Sequence, residues 1–246
     1  MSQTAYIHKL ASTYHLVPNK LVKVPVTVGS LLFLASRTRP DILYSVIALS
    51  QYSGAHTSKH VKALMQVLQY VLNTADYCIE LTQCSSDRVW SYSDASWADD
   101  PLTSLSFGGF IVYLGGVPIV WSCKKQSSVA CSTMEAEFVA MVNCVREIYC
   151  LCSVFDMCPI FNYVVTPIVY SDAMSSVQFT QNDVENSRTK HIRVKYHWLR
   201  KWHRKGFFNV LKIPGEINVA DIFTKWLGGE RIRFLCAKVF SNVPYF

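Results

Sequence analysis

Four carboxylates stand where the chain changes from one element to the next: Asp94, Glu137, Asp172 and Asp221. Asp94 follows the alternating run Arg88-Val89-Trp90-Ser91-Tyr92, and Asp172 follows the apolar run Pro167-Ile168-Val169-Tyr170-Ser171. Asp is depleted in strands. Its ordinary use at a strand end is to close the strand with an Asx-turn or to cap the next helix. Several carboxylates at comparable boundaries support a different use, as oxygen ligands for divalent cations. Mg²⁺ takes hard oxygen ligands in octahedral geometry and keeps waters. Two such ions about 4 Å apart can activate a water and stabilise the leaving oxygen of a phosphodiester. That chemistry requires all four acids to converge on one point.

The helix around Glu137 is marked by Met134, Phe138, Met141, Val145, Ile148 and Cys152 at helical spacing. At about 100° per residue, Glu137 falls roughly 60° from the stripe centre and Glu135 about 100° from it. Ser132-Thr133-Met134-Glu135 fits a capping box, with Ser132 as N-cap, so Glu135 has a structural role. Glu137 has none of that kind. It lies at the margin of the buried face, where packing can fix a ligand's geometry.

The elements that must position these groups form two sets. Residues 1–75 read as a small helical unit: a helix around Ala5–Tyr14, an apolar Val26–Ser36, a helix opened by Pro40 and ended by Gly54, and one capped by Thr57 or Ser58. Nothing in this unit is catalytic in type, and His60 reads as a surface or packing residue. Residues 76–87 form a linker or strand. Then Arg88–Asp94 reads as a strand, and Phe107–Leu114 with Val117–Cys123 as a hairpin about Gly115-Gly116. Pro167–Asp172 leads into a helix over Ala173–Thr180. Phe207–Ile213 reads as a strand, and Ile217–Trp226 as a short helix carrying Asp221.

The chain has 246 residues, 50% of them hydrophobic, and a net charge of +7. It can bury a core, and its charge favours an anionic partner. Nine cysteines without a CxxC pair read as reduced thiols of an intracellular protein, mostly small core residues. The uncharged stretch 101–123 is long enough to span a bilayer. Its glycines and Pro118 favour strand–turn–strand, and no membrane association is expected. Ser187–Gly206 carries eight basic residues with no acid among them, while Ile192, Tyr196, Leu199 and Trp202 keep an apolar face. A one-sign charge run on a packed helix suits a surface that tracks phosphates.

Five segments together are similar to the C-terminal part of a copia-type retrotransposon Pol polyprotein. They are Tyr92-Ser93-Asp94-Ala95-Ser96-Trp97-Ala98, Trp121-Ser122-Cys123-Lys124-Lys125-Gln126, Val129 through Ala140, Arg188-Thr189-Lys190-His191-Ile192, and Val219-Ala220-Asp221-Ile222-Phe223-Thr224-Lys225. Their order resembles that of the family's ribonuclease H domain. Upstream, Gly29 through Ala35, Thr38-Arg39-Pro40-Asp41 and the helix after His60 resemble the end of its reverse transcriptase.

The resemblance implies an α/β fold, an RNase H-like mixed five-stranded sheet flanked by helices, over residues 88–228. A reverse-transcriptase thumb or connection remnant over 1–80 would precede it, and a tail over 229–246 would follow. It implies that Asp94, Glu137, Asp172 and Asp221 are catalytic and bind two Mg²⁺ or Mn²⁺ ions. Glu137 rather than Glu135 carries over, because Phe138 and Ala140 follow it at the family's spacing. The implied partner is an RNA–DNA hybrid, whose RNA strand is cut. Its contacts are expected at Lys124, Lys125, Arg188, Lys190, His191, Arg193, Lys195, Arg200 and Lys201.

Several positions depart from the family pattern. The polymerase motif is absent from this chain, so no polymerase activity is expected. Val26-Thr27 skips part of the usual connection. Arg193 replaces an acid, Ser104-Leu105 lacks a basic residue, and Ala173 replaces an Asn after Asp172. These changes imply a truncated copy with weak or absent turnover. The alternative is a catalytically inactive nucleic-acid-binding remnant; a third reading gives the product no biochemical role.

Overall fold

The computed structural model describes residues 1–14, 24–100, 102–157, 165–182 and 193–243. The chain divides into two compact units, Met1–Leu81 with Lys225–Phe246, and Thr82–Thr224.

The first unit opens with α1 (Thr4–Tyr14), α2 (Val24–Arg37), α3 (Leu43–Ser50) and α4 (Ser58–Asn73). Leu31, Leu34, Val46, Leu64, Leu68 and Val71 supply its core. Pro40 opens a 3₁₀ turn, Pro40–Ile42, ahead of α3. Thr57 caps α4 in a capping box in which the Thr57 amide donates back to His60 Nδ1, and His60 also stacks on Tyr52 at 4.1 Å. The Thr38-Arg39-Pro40-Asp41 segment is structural. Arg39 is buried and grips Asp41 through Nε and Nη2 at 3.0 and 2.7 Å, and also donates from Nη1 to the Thr74 carbonyl. Tyr70 donates to the same carboxylate at 2.8 Å. Burial pushes the Tyr70 hydroxyl's pKa well above its usual value, so it remains a donor. Val26, Leu32 and Phe33 of α2 are exposed, which gives this unit an apolar outer surface over part of residues 26–75.

The second unit is built on β1 (Val89–Ser96), β2 (Phe107–Leu114), β3 (Val117–Lys125), α5 (Thr133–Asp156), β4 (Ile168–Ser171), α6 (Met174–Gln181), α7 (Arg193–Arg204) and β5 (Asn209–Lys212). The sheet order is β3-β2-β1-β4-β5. The first three strands are antiparallel neighbours, while β1–β4 and β4–β5 are parallel. This is the mixed five-stranded sheet with flanking helices. The β2–β3 hairpin turns on Gly115 and Gly116, with φ of +55° and +100°, which a two-residue turn of the primed type requires. The uncharged stretch considered for a bilayer therefore supplies two sheet strands. Among the described residues one helix, α5, is long and apolar enough to cross a membrane, and 56% of that window is buried inside the fold.

The core of this unit lies between the sheet and α5, α6 and α7. Phe138, Met141, Val145 and Ile148 of α5 meet Val112, Val169 and Val210 of the sheet and Tyr196 and Leu199 of α7. Cys123, Cys144 and Cys152 are buried as small apolar side chains, and burial pushes the first two thiols up to about 12. Cys84, Cys131 and Cys150 are exposed instead.

After Thr224 the chain returns to the first unit, where α8 (Gly229–Cys236) buries Leu235 and Cys236. The segment expected as a separate tail is thus part of that unit. Its apolar residues are spaced to bury one face of a helix, which the glycine pair before it concealed.

Candidate metal centre

The sheet register brings the first two acids together. Tyr92 pairs with Tyr170 across the parallel β1–β4 ladder. Two residues further along each strand lie Asp94 and Asp172. β1 continues to Ser96 while β4 stops at Ser171, so Asp172 leaves the sheet beside Asp94. Asp94 is therefore inside a strand, two residues from its end.

The third acid comes from α5. Ser132 caps that helix by accepting the Glu135 amide at 3.2 Å, and Glu135 Oε2 accepts the Cys131 amide at 2.9 Å. Glu135 is thereby used at the helix start, and Glu137 lies one position into the next turn, buried. The start of α5 is tied down from two sides. Gln126 Nε2 donates to the Ala136 carbonyl at 2.8 Å, and Trp97 Nε1 donates to the Ala130 carbonyl at 2.9 Å.

Asp94, Glu137 and Asp172 each offer a carboxylate oxygen, and these oxygens lie within 4.8 Å of one another. Asp94 and Glu137 are only 1% and 5% exposed. Like charges at that spacing repel by about 3–4 kcal/mol per pair at an effective dielectric near 20. A divalent cation offsets that repulsion. Three convergent hard oxygens with no sulfur or imidazole form a donor set suited to Mg²⁺ or Mn²⁺.

Asp221 stands outside this group. It lies buried in a 3₁₀ helix, Val219–Phe223, and not in an α-helix over Ile217–Trp226. Both flanks of that helix touch the other acids. Asn218 Nδ2 donates to Asp172 Oδ1 and to the Ser93 carbonyl, both at 3.2 Å. Asn218 Oδ1 caps the helix by accepting the Ala220 amide. The Thr224 hydroxyl donates to Asp94 Oδ2. Asp172 consequently does not cap α6. Its N-cap is Ala173, without a side-chain bond, and the Ala173 amide is satisfied by Ser171 Oγ at 3.2 Å.

Two glycines allow these close approaches. Successive strand residues face opposite ways. A Cβ on Gly109 would sit 2.3 Å from Phe223 Cβ, and one on Gly108 3.3 Å from Ala140 Cβ. The 3₁₀ helix and α5 therefore cover opposite faces of β2. Gly215 faces the site too, 3.1 Å from Asp172 Oδ2 by the same measure. Asn218, Thr224 and these glycines were not read as site residues. The signal available was Asn218, a preferred N-cap just ahead of Val219-Ala220-Asp221.

The expected nucleic-acid contacts divide. Arg188, Lys190 and His191 lie outside the described residues, as does the side chain of Arg193. Lys124 and Lys201 are exposed, and Lys195 is half-buried. Lys125 is bound to Asp100 at 2.7 Å, and together with Thr103 it holds the Asp100 carboxyl below the usual range. Arg200 must be corrected. It is buried, with Nε and Nη2 donating to the Phe179 carbonyl at 3.0 and 2.6 Å and the guanidinium lying 3.6 Å from the centre of the Tyr196 ring. Its charge fastens α7 to α6 and does not face solvent. The sequence pattern missed this because a helix with a basic side gives no sign of which cation turns inward.

The chain is 36% identical over 218 residues, 88% of its length, to the retrovirus-related Pol polyprotein from transposon RE1 of Arabidopsis thaliana. It is 39% identical over 207 residues to that of transposon RE2 from the same plant. The chain belongs to the Pol polyproteins of copia-type retrotransposons. It spans 15% and 14% of the length of those two relatives. No family model matches it. A foamy viral protease–reverse transcriptase, solved in complex with double-stranded DNA, shares its fold over 87% of this chain and 42% of that one, with a TM-score of 0.55 and 14% identity. The sheet of this copia-type Pol segment is RNase H-like.

Proposed function

We propose that this Pol segment is a ribonuclease H that hydrolyses the RNA strand of RNA–DNA hybrids. The observation that carries the reading is the convergence of Asp94, Glu137 and Asp172 oxygens within 4.8 Å, from a strand, a helix and the residue just past a second strand. Fold and family support a nuclease of this type. Asp94, Glu137 and Asp172 would hold the metal, with Asp221 on the adjoining 3₁₀ helix as the fourth acid. Two Mg²⁺ or Mn²⁺ ions there would supply an activated water and stabilisation of the leaving oxygen. The chain's own work is to hold the carboxylates in orientation. Thr224 holds Asp94, and Asn218 holds Asp172. Selection of RNA over DNA would rest on the 2′-hydroxyl displayed in the minor groove. Phosphate contacts would come from the exposed Lys124 and Lys201 and from the basic residues before α7.

The test is cleavage of a labelled hybrid by the full chain in Mg²⁺ and in Mn²⁺. Slow cutting of the RNA strand, abolished in Asp94→Asn and Glu137→Gln, is expected. Metal-dependent thermal stabilisation should vanish in the same variants. Absence of both cutting and metal-dependent stabilisation in the unaltered chain overturns the reading. Stabilisation without cutting would leave a metal-binding remnant.

A further inference from the structure

A pocket of about 200 Å³ opens on the sheet face beside α5, lined by Gly108 and Phe110 of β2, Ser122 and Lys124 of β3, and Ala140, Asn143, Arg146 and Glu147 of α5. At about 30 Å³ per water, it has room for a tetrahedral anion and several waters. Its floor is apolar, from Phe110 and Ala140. Its rim holds two cations and two neutral donors. Lys124 and Arg146 are exposed, while Ser122 and Asn143 are half-buried. Among the described residues, Lys124 and Arg146 make no ion pair. Glu147 also lines the pocket, and it too pairs with neither cation, so the rim keeps a net charge of one positive unit. The adjacent Lys125 is different, because its ammonium is already committed to Asp100.

We propose that this pocket is a phosphate-binding subsite, in which Arg146 and Lys124 take the anion's charge and Asn143 and Ser122 its remaining oxygens. A guanidinium and a neutral amide from α5, with an ammonium and a hydroxyl from β3, supply donors to a phosphate's several acceptor oxygens. All four side chains stand on a strand or a helix, so their backbone positions are set by the fold. The phosphate is that of a nucleic-acid backbone, and this source rests on the proposed nuclease reading; the anion site itself does not. Arg146 lies nine residues beyond Glu137 on the same helix, about 13 Å along its axis. With about 3.4 Å of rise per nucleotide in one strand, that separation is the span of about four nucleotides.

Two measurements on the full chain test this. Inorganic phosphate is titrated while the Arg146 side-chain Nε–H resonance is followed by NMR. Separately, a fluorescent RNA–DNA hybrid is bound in EDTA, so that no cleavage intervenes, across a range of salt. Phosphate should shift the Arg146 resonance saturably. Arg146→Ala and Lys124→Ala should each weaken hybrid binding several-fold and lower the slope of log K against log salt by about 1. Glu147→Gln should tighten binding. These residues are at the surface, and unchanged melting curves verify that the variants fold. Unchanged affinity and slope with an intact phosphate response would make the pocket a free-phosphate site and overturn the nucleic-acid assignment. No phosphate response and no effect on hybrid binding overturns the proposal altogether. Because binding is read without metal, failure of the hydrolase reading appears separately, as absent cleavage with binding intact.

Discussion

The packing of the Val219–Phe223 helix against β2 leads to a quantitative prediction for Gly109→Ala. An alanine Cβ at that position would lie 2.3 Å from Phe223 Cβ and 3.1 Å from Thr224 Cγ2. Carbon atoms in contact prefer about 3.5–4.0 Å. The 3₁₀ helix must therefore retreat by more than about 1 Å, since both obstacles are close to its backbone. Overpacking of this kind costs about 1–3 kcal/mol. The retreat also pulls Thr224 from Asp94, and a hydrogen bond to a charged group contributes about 1.5–3 kcal/mol. Together the loss is about 2.5–6 kcal/mol, a fall in melting temperature of roughly 5–20 °C for a unit of this size. Gly108→Ala is the internal control. Its Cβ would meet Ala140 Cβ and Gln126 Nε2 at 3.3 Å, so each neighbour need move only a few tenths of an ångström. Its cost should be under about 1 kcal/mol. Melting followed by circular dichroism, with EDTA and with Mn²⁺, reads both effects. Gly109→Ala should be much the weaker protein and should lose most of its stabilisation by Mn²⁺. If it melts within about 2 °C of the unaltered chain, or no lower than Gly108→Ala, the packing account is wrong.

Thr224→Val keeps the shape of a fully buried side chain but removes its donor to Asp94. It should cost about 1.5–3 kcal/mol in urea unfolding without metal. Thr224→Ser should recover most of that, and a serine variant no better than valine would refute the role of the hydroxyl. Asp100 supports a pH prediction. Its carboxyl is held below the usual range by Lys125 first and Thr103 next. A depressed pKa stabilises the fold above the unfolded-state value near 3.9, and the contribution is lost as pH falls through the folded value. The gap in melting temperature between the unaltered chain and Asp100→Asn should therefore be full at neutral pH and narrow in acid. A gap that is the same at about pH 3 as at pH 7 would show that the ion pair is not its source.

Periodicity revealed most of the second unit. The strand at Val89, the hairpin about Gly115-Gly116 and the cap at Ser132 are local features, written in alternation, turn residues and hydroxyl spacing. The Ser132 cap also separated Glu135 from Glu137, because it gave one of the two acids a local partner. Three features were not legible. Arg200 looked like its cationic neighbours, and only the Phe179 carbonyl across the core distinguishes it. Gly108-Gly109 fall inside the strand expected over Phe107–Leu114, but nothing local showed that they make room for elements on its two faces. The partner of Asp172 is Asn218, 46 positions away, and no local pattern records a contact of that range.

The same long-range contacts bear on the fourth acid. Asp94, Glu137 and Asp172 are held by a strand, a long helix and the end of a second strand, so their convergence follows from the sheet and the α5 packing. Asp221 depends on a five-residue 3₁₀ helix instead. Such helices have poorer hydrogen-bond geometry and contribute little rigidity of their own. It is held by burial of Val219 through Phe223 and by bonds at its flanks, Asn218 to Asp172 on one side and Thr224 to Asp94 on the other. The donors that orient two of the clustered carboxylates are therefore the same groups that position Asp221. Metal binding at the three-acid group would act on those donors through the carboxylates they share. Asp94 and Asp172 thus share their hydrogen-bond donors, Thr224 and Asn218, with the two flanks of the helix that carries Asp221.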